Sequence, residues 1–262
     1  MRLALLLYHY DSQGPVSRNV RHFAAELQQR GHDCRVYYLS WQGEPLPGAE
    51  LRRVPVRALR EYRREERYRD WVRRDLEVDP VDGVVGFDLL PGLDVYFTAG
   101  PCYLDEALTG RGWSYRRSGR FRRVAALERA VFSPDSDTEI LLVSATEREK
   151  FERHYHTPAA RMHLLPPGVP PGRRRPDDAS GRRRALREGL GIGALDYLLL
   201  FVGQDPSAGG LDRVIRALAR VREEQPSANA RLLVAGQAGP RKAGPRQAGP
   251  RQIRQQARKL GT

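Results

Sequence analysis

Short apolar or β-branched runs alternate along the chain with longer stretches in which apolar residues recur every three or four positions. That alternation is expected of strands laid parallel and joined by crossover helices, so the pattern predicts an α/β fold. Residues 3–8 open it as a buried strand. Residues 16–30 follow as a helix in which Val20, Phe23, Ala24 and Leu27 share one face, with Gly31 placed to cap its end. Further strands are predicted at 35–39, 51–56, 84–87, 95–99, 140–143 and 163–165, and helices at 59–76, 114–132 and 146–155.

The pattern then breaks. Pro166, Pro167, Gly168, Pro170, Pro171 and Gly172 lie within seven residues and lead into Arg173, Arg174 and Arg175. Pro and Gly at that density stop regular structure, which predicts a complete domain over 1–165 and a hinge linker over 166–181. A second, shorter α/β pattern covers 182–262, with a helix at 182–190, a strand at 197–202, a helix at 211–224 and a strand at 231–235. It is too short to close a sheet like the first. Three copies of Ala-Gly-Pro-Arg, followed by Lys242, Gln247 or Gln252, fill 238–252 and predict a loop ahead of a last helix at 253–260.

Composition narrows the class. Hydrophobic residues make up 40% of the 262, enough for a buried core. No apolar run reaches the ~18 residues that span a bilayer, and Met1 leads directly into a strand, so the expected location is cytoplasmic. Cys34 and Cys102 are too few for a disulfide framework and read as core residues. The net charge of +13 is uneven, with 26 basic against 24 acidic residues up to Leu165 and 19 against 8 beyond it. No recognised nucleic-acid module accompanies that excess, so no nucleic-acid partner is expected. His154 and His156, two residues apart, point in different directions on a helix and are not read as metal ligands.

Several segments, met in order, resemble one family. They are Arg30-Gly31-His32 with Val36-Tyr37, Ser40-Trp41-Gln42-Gly43, Val54-Pro55-Val56, Val84-Val85-Gly86-Phe87, Pro91-Gly92-Leu93-Asp94-Val95-Tyr96, Leu127-Glu128-Arg129-Ala130, His154-Tyr155 and Leu165-Pro166-Pro167-Gly168. Together they are similar to the lipopolysaccharide core glucosyltransferase I family, among the family 4 retaining glycosyltransferases of GT-B fold. The resemblance implies one complete Rossmann-like N-terminal domain on the acceptor side and an incomplete Rossmann-like donor domain, the two facing a cleft. It also implies transfer of a hexose, glucose in the first instance, from a UDP-sugar to a lipid-anchored core oligosaccharide. The reaction would need no metal cofactor, because helix dipoles and basic side chains neutralise the departing diphosphate.

Donor-binding candidates by that resemblance are Gly14 and Arg18 after the first strand, Arg173 at the hinge, and Gly203, Gln204, Asp205 and Gly210 at a strand-to-helix turn. No catalytic residue is assigned. The chain departs from the family pattern at Pro15, Asn19, Asp88-Leu89 and Gly100, and at Ala208-Gly209, where the family carries an Arg-Lys grip on the diphosphate. The family's later Glu pair lies beyond Thr262. These departures leave open the alternative of an inactive remnant or scaffold.

Residues 111–129 hold seven Arg and a single acid, Glu128, interleaved with Trp113, Tyr115 and Phe121. As one helix over 114–132, Phe121, Val124, Leu127 and Val131 would share a face flanked by Arg116, Arg120 and Arg123. That is the pattern of an interfacial helix on an anionic membrane surface, with Arg111, Trp113, Tyr115, Arg116, Arg117, Arg120, Phe121 and Arg123 as contacts. A solvated face over a packed stripe is the other reading.

Overall fold

The computed structural model describes residues 1–12, 14–166, 168, 174–203, 210–225 and 229–235. The chain divides into two compact units, Met1–Gly168 and Val169–Thr262.

In the first unit the elements follow in the order β1 (Arg2–Leu6), β2 (His9–Asp11), α1 (Pro15–Gln29), β3 (Asp33–Tyr38), β4 (Ser40–Gln42), β5 (Glu50–Arg53), α2 (Glu61–Val78), β6 (Gly83–Gly86) and β7 (Val95–Thr98). Then come α3 (Tyr103–Gly110), α4 (Trp113–Arg116), α5 (Gly119–Phe132), β8 (Glu139–Leu142), α6 (Ala145–Tyr155), a 3-10 turn (Ala159–Arg161) and β9 (Met162–Leu164). Among the described residues β5-β3-β1-β6-β7-β8-β9 form a seven-stranded sheet in which every neighbouring pair is parallel. The chain leaves β1 toward β3 on one side and returns to β6 on the other, so the order reverses beside β1.

Both faces of the sheet are covered, which is why β1 is apolar from Leu3 to Leu6 instead of alternating with polar residues. Ala4 and Leu6 join the core under α2, α5 and α6, with Tyr68, Val72, Val131, Phe132, Phe151 and Tyr155. Leu5 and Leu7 point the other way, to Val20 and Ala24 of α1, and Cys34 and Val36 of β3. Phe132 and Phe151 stack 3.7 Å apart, an aromatic pair that adds about 1 kcal/mol to the burial of both rings. Both cysteines are buried.

Local chemistry fixes the joints. Helix α1 ends in a Schellman motif: Gly31, at φ +74°, donates its N–H to the Gln28 carbonyl, and His32 donates to Leu27. Between β6 and β7, Gly92 sits at φ +77°, and Leu93 swings back over Gly86. A Cβ on Gly86 would stand 2.3 Å from Leu93 Cδ1, so this strand position accepts only glycine without repacking. Asp94 then accepts the Val84 N–H at 2.7 Å, tying the connection to the strand it left. Toward the amino ends of the strands, Arg2, Arg35 and Arg52 interlock with Glu50, Asp75 and Asp79; the Arg35 side chain is 1% exposed and donates to Glu50 at 2.8 Å and to the Tyr37 hydroxyl at 3.0 Å.

Two expectations are corrected. The helix expected over 114–132 is two helices, because Ser118 is extended and its hydroxyl accepts the Phe121 N–H at 3.1 Å, capping α5 and ending α4 before it. Helix α3, absent from the sequence reading, is held by carboxylates from elsewhere in the chain. Glu128 of α5 accepts the Tyr103 and Leu104 N–H groups at 2.7 and 2.9 Å, and Glu147 of α6 accepts that of Cys102 at 2.7 Å.

The second unit comprises α7 (Ala179–Gly189), β10 (Tyr197–Val202), α8 (Leu211–Glu224) and β11 (Ala230–Ala235), with β10 and β11 paired in parallel. Helix α7 begins inside the segment assigned to the linker, and Arg182 reaches back to Asp178 at 2.7 Å. Leu211, Ile215, Leu218 and Ala219 of α8 are buried, whereas Leu200 and Val202 of β10 are 60% and 72% exposed. The Ala-Gly-Pro-Arg repeat and the last expected helix lie outside the described residues.

Candidate functional site

In an open parallel sheet the connections beyond the carboxyl ends of the strands converge beside the point where strand order reverses, and ligands bind there. In the first unit this edge is formed by the segments that follow β1, β3, β5, β6, β7 and β8. The segment after β1 is braced from the side. Strands β2 and β4 pair through His9–Ser40, Tyr10–Trp41 and Asp11–Gln42, and the Tyr10 and Trp41 rings stack at 3.7 Å. Gly43, at φ +122°, passes so close to Ser12 that a Cβ would lie 2.7 Å from the Ser12 Cβ. The Ser40-Trp41-Gln42-Gly43 run thus acts as a splint for the loop after β1.

Gly14 ends that loop and caps α1, whose first residue is Pro15. Pro at this position loses only an N–H that the helix leaves unbonded, and its fixed φ suits the first turn. A Cβ on Gly14 would come within 3.1 Å of the Asp11 carbonyl, which accepts the Gly14 N–H at 2.7 Å. Arg18 lies one turn into the helix, its own N–H donated to Gly14; its side chain is exposed and makes no ion pair among the described residues.

Across the reversal point, Asp88 after β6 accepts the Tyr8 N–H at 2.6 Å. Burial raises the Asp88 carboxyl above the ordinary carboxylate range, partly offset by that hydrogen bond. The Tyr8 hydroxyl is buried with no hydrogen-bond partner among the described residues, and the Tyr8 ring meets that of Tyr68 edge-on. His9 pairs through Nδ1 with the Ser40 hydroxyl at 2.7 Å and lies 3.4 Å from Arg64 through Nε2. Arg53 ends β5 and Arg57 stands on the segment after it, and with Arg64 they line a pocket of about 530 Å3. The sequence pattern places Arg53 in a strand, Arg64 in a helix and Arg57 between the two, with no binding role; the density of Arg between 52 and 69 was the available signal.

Helices α1, α2, α3 and α6 each begin at this edge, turning the positive ends of their dipoles toward it. The start of α3 is already filled by Glu128 and Glu147. Glu128 also accepts the Tyr155 hydroxyl at 2.6 Å, and burial raises its pKa despite the three donors. Asp105 is held below the ordinary range by the hydrogen bond from His154, at 2.9 Å, and by Lys150. His156 takes no part; it ends α6 at φ 56°. Among the described residues no group of three His, Cys, Asp or Glu is placed to hold a metal ion.

In the second unit, Gly203 follows β10 and donates its N–H to the Ala235 carbonyl at 3.1 Å, and Gly210 caps α8 at φ +79°. These are the two ends of a strand-to-helix connection. Arg173, Gln204 and Asp205, and with them Ala208 and Gly209, lie outside the described residues.

The basic aromatic stretch is divided by the break at Ser118. Arg111, Trp113, Arg116, Arg117 and Arg120 are exposed, with Arg117 stacked 4.0 Å over the Trp113 ring. Tyr115 and Phe121 are half-buried and pack with Tyr103, whose hydroxyl meets that of Tyr115 at 2.8 Å. Arg123 lies 3.8 Å over Tyr62 of α2, which makes it a tie between helices. No helix among the described residues is long and apolar enough to cross a membrane.

Two α/β units, the first with its loops and helix starts gathered at the carboxyl edge of a parallel sheet, define a Rossmann-like class of fold. The sequence family Glycosyltransferase Family 4 matches residues 16–173, and the chain belongs to that family. It is 38% identical over 242 residues to the lipopolysaccharide glucosyltransferase WaaG of Escherichia coli K12, a match covering 92% of this chain and 64% of that protein. The chain therefore spans less than two thirds of that relative's length. A D-inositol 3-phosphate glycosyltransferase of Xylanimonas cellulosilytica is 36% identical over 127 residues, 45% of this chain and 27% of the relative. The crystal structure of WaaG, a glycosyltransferase involved in lipopolysaccharide biosynthesis, superposes with a TM-score of 0.81 at 35% identity, covering 99% of this chain and 67% of that one. A glycosyltransferase from Rickettsia africae shares the fold alone, with a TM-score of 0.61 at 11% identity over 99% of this chain and 64% of its own. The fold is of the GT-B, Rossmann-like type.

Proposed function

We propose that the chain is a retaining hexosyltransferase that moves glucose from a UDP-sugar to a lipid-anchored lipopolysaccharide core, at the cytoplasmic face of the membrane. The observation that carries this reading is the 38% identity to WaaG across 92% of the chain, which favours a transferase over an inactive remnant. In this reading the first unit presents the acceptor side, with Gly14 and Arg18 reaching the donor from it. Gly203, Gln204, Asp205 and Gly210 are its donor-binding residues in the second unit, and Arg173 supplies a cation for the diphosphate. An oxyanion leaving group is stabilised by helix starts and guanidinium groups, so the reaction runs without a metal cofactor. The exposed Arg111, Trp113, Arg116, Arg117 and Arg120 hold the protein peripherally on anionic lipid.

Calorimetric titration with UDP and UDP-glucose, followed by transfer to core acceptor with and without a chelator, tests the reading. Micromolar nucleotide binding with chelator-insensitive transfer supports it. Absence of UDP binding by the chain, or transfer abolished by the chelator, contradicts the donor assignment or the metal-independent step respectively.

A further inference from the structure

The pocket beyond β3 and β5 is not accounted for by donor binding or by the basic aromatic stretch. Its walls are Leu39, Arg53, Val54, Pro55, Val56, Arg57, Ala58 and Arg64, enclosing about 530 Å3. Three guanidinium groups line it and no carboxylate does. Arg53 and Arg57 make no ion pair with any described residue, although acids are plentiful elsewhere in this unit. The Nε of Arg64 is buried and has no hydrogen-bond partner among the described residues, while its Nη2 stands 3.4 Å from the Nε2 of His9. A guanidinium group with a buried nitrogen that lacks an acceptor keeps its charge poorly compensated, and an oxyanion in the pocket would offset that charge.

The pocket's position follows from topology. Leu39 directly follows β3 and Val54 directly follows β5, so both lie at the carboxyl edge, on the flank remote from β9. Val54 is fixed there by donating its N–H to the Tyr38 carbonyl at 2.8 Å. Helix α2 begins next to it, adding the positive end of its dipole. Pro55, with Val54 and Val56, supplies an apolar wall against which a sugar ring can lie. An apolar wall beside convergent guanidinium groups suits a saccharide that bears an oxyanion more than it suits a neutral sugar.

We propose that Arg53, Arg57 and Arg64 form a subsite for an anionic saccharide, reading a phosphate ester or a carboxylate on the acceptor at some distance from the reacting hydroxyl. The proposal rests on the acceptor-side role of the first unit set out above and adds the charge of the group it recognises. The shared chemistry is an oxyanion held by paired N–H donors, and the probes separate its sources.

The test measures binding of glucose 6-phosphate, glucuronate and glucose to the whole chain by NMR titration. It uses wild type, Arg57→Gln, Arg64→Gln and, as a control outside the pocket, Arg73→Gln. At least one charged sugar is expected to bind about tenfold more tightly than glucose, and whichever is tighter identifies the anion. That preference is expected to vanish in Arg57→Gln and Arg64→Gln and to persist in Arg73→Gln. Arg57 is exposed, so its variant folds whether or not that of the half-buried Arg64 does. Equal binding of all three sugars by wild type, or a charge preference that Arg57→Gln retains, overturns the proposal. Failure of UDP titration in wild type would count against the donor assignment and leave this readout standing.

Discussion

Glu128 offers the sharpest perturbation of the first unit. Its carboxylate is 3% exposed and accepts Tyr103 N–H through Oε1, and Leu104 N–H and the Tyr155 hydroxyl through Oε2. It joins the start of α3 to α5 and α6. In Glu128→Gln the amide oxygen can take the Oε2 position and keep two donors, but the amide nitrogen then faces the Tyr103 N–H. One charge-assisted bond is lost and one donor is left unpaired, a cost of about 2 kcal/mol at neutral pH after allowing for relief of the buried charge. For a unit of this size that lowers Tm by roughly 6 °C. Glu128→Ala loses all three bonds and leaves a cavity, for about 4 kcal/mol.

The pH dependence carries the sign. Burial raises the folded pKa of Glu128 above its unfolded value, so its contribution is fully present below the ordinary Glu pKa, about 4.3, and is lost as pH rises through the folded value. The penalty of Glu128→Gln, measured by urea unfolding across that window, is therefore largest on the acid side and flat above it. A penalty that grows with pH would mean that the three donors outweigh burial, and a variant as stable as wild type would mean that Glu128 does not hold α3.

Gly86→Ala places a methyl group against Leu93 and is expected to cost about 2 kcal/mol, read as a fall in the urea midpoint with m unchanged; an unchanged midpoint would show that Leu93 moves aside freely. Arg35→Met removes the buried member of the network at the amino ends of the strands and is expected to destabilise by about 3 kcal/mol, while leaving UDP affinity as it was because the network lies away from the carboxyl edge. Hydrogen exchange is expected to show slow amides in β1, β3 and β6 and fast ones in β10 and β11, a two-stranded sheet with exposed Leu200 and Val202; equal protection in both units would refute this. Trp113→Ala is expected to weaken partitioning onto anionic vesicles about tenfold, and an unchanged partition coefficient would exclude this face from membrane contact.

Local periodicity was enough to read the strands of the seven-stranded sheet and of the β10–β11 pair, and helices α1, α2, α6 and α8, to within a few residues, because their apolar spacing follows directly from which side faces a core. Val20, Phe23, Ala24 and Leu27 pack as their spacing predicts. What spacing could not carry was tertiary. Helix α3 depends on carboxylates 24 to 45 residues away, and no feature of 103–110 announces them. Strands β2 and β4 are three residues each and owe their pairing to the Tyr10–Trp41 stack. The break at Ser118 was legible in principle, since Ser-Gly after an Arg-rich turn is a capping signal, but the apolar stripe across it suggested one helix.

The segments that carry the family resemblance turn out to be joints of the scaffold. Gly31 closes the Schellman motif, Trp41 and Gly43 splint the loop after β1, Gly86 makes room for Leu93, and Glu128 seats α3. Gly31 sets the entry into β3, while the other joints fix a loop or helix start at the carboxyl edge, so likeness in those segments is likeness in the shape of that edge. The departures at Pro15, Asp88 and Gly100 fall on the edge itself, where they leave the joints intact: Pro15 fits the first turn of α1, Asp88 is bonded to Tyr8, and Gly100 has open space beside it. A scaffold kept in place while its rim changes is what a shift in the group recognised at the rim requires. Substitutions there should accordingly alter which acceptor binds well before they alter whether the first unit folds.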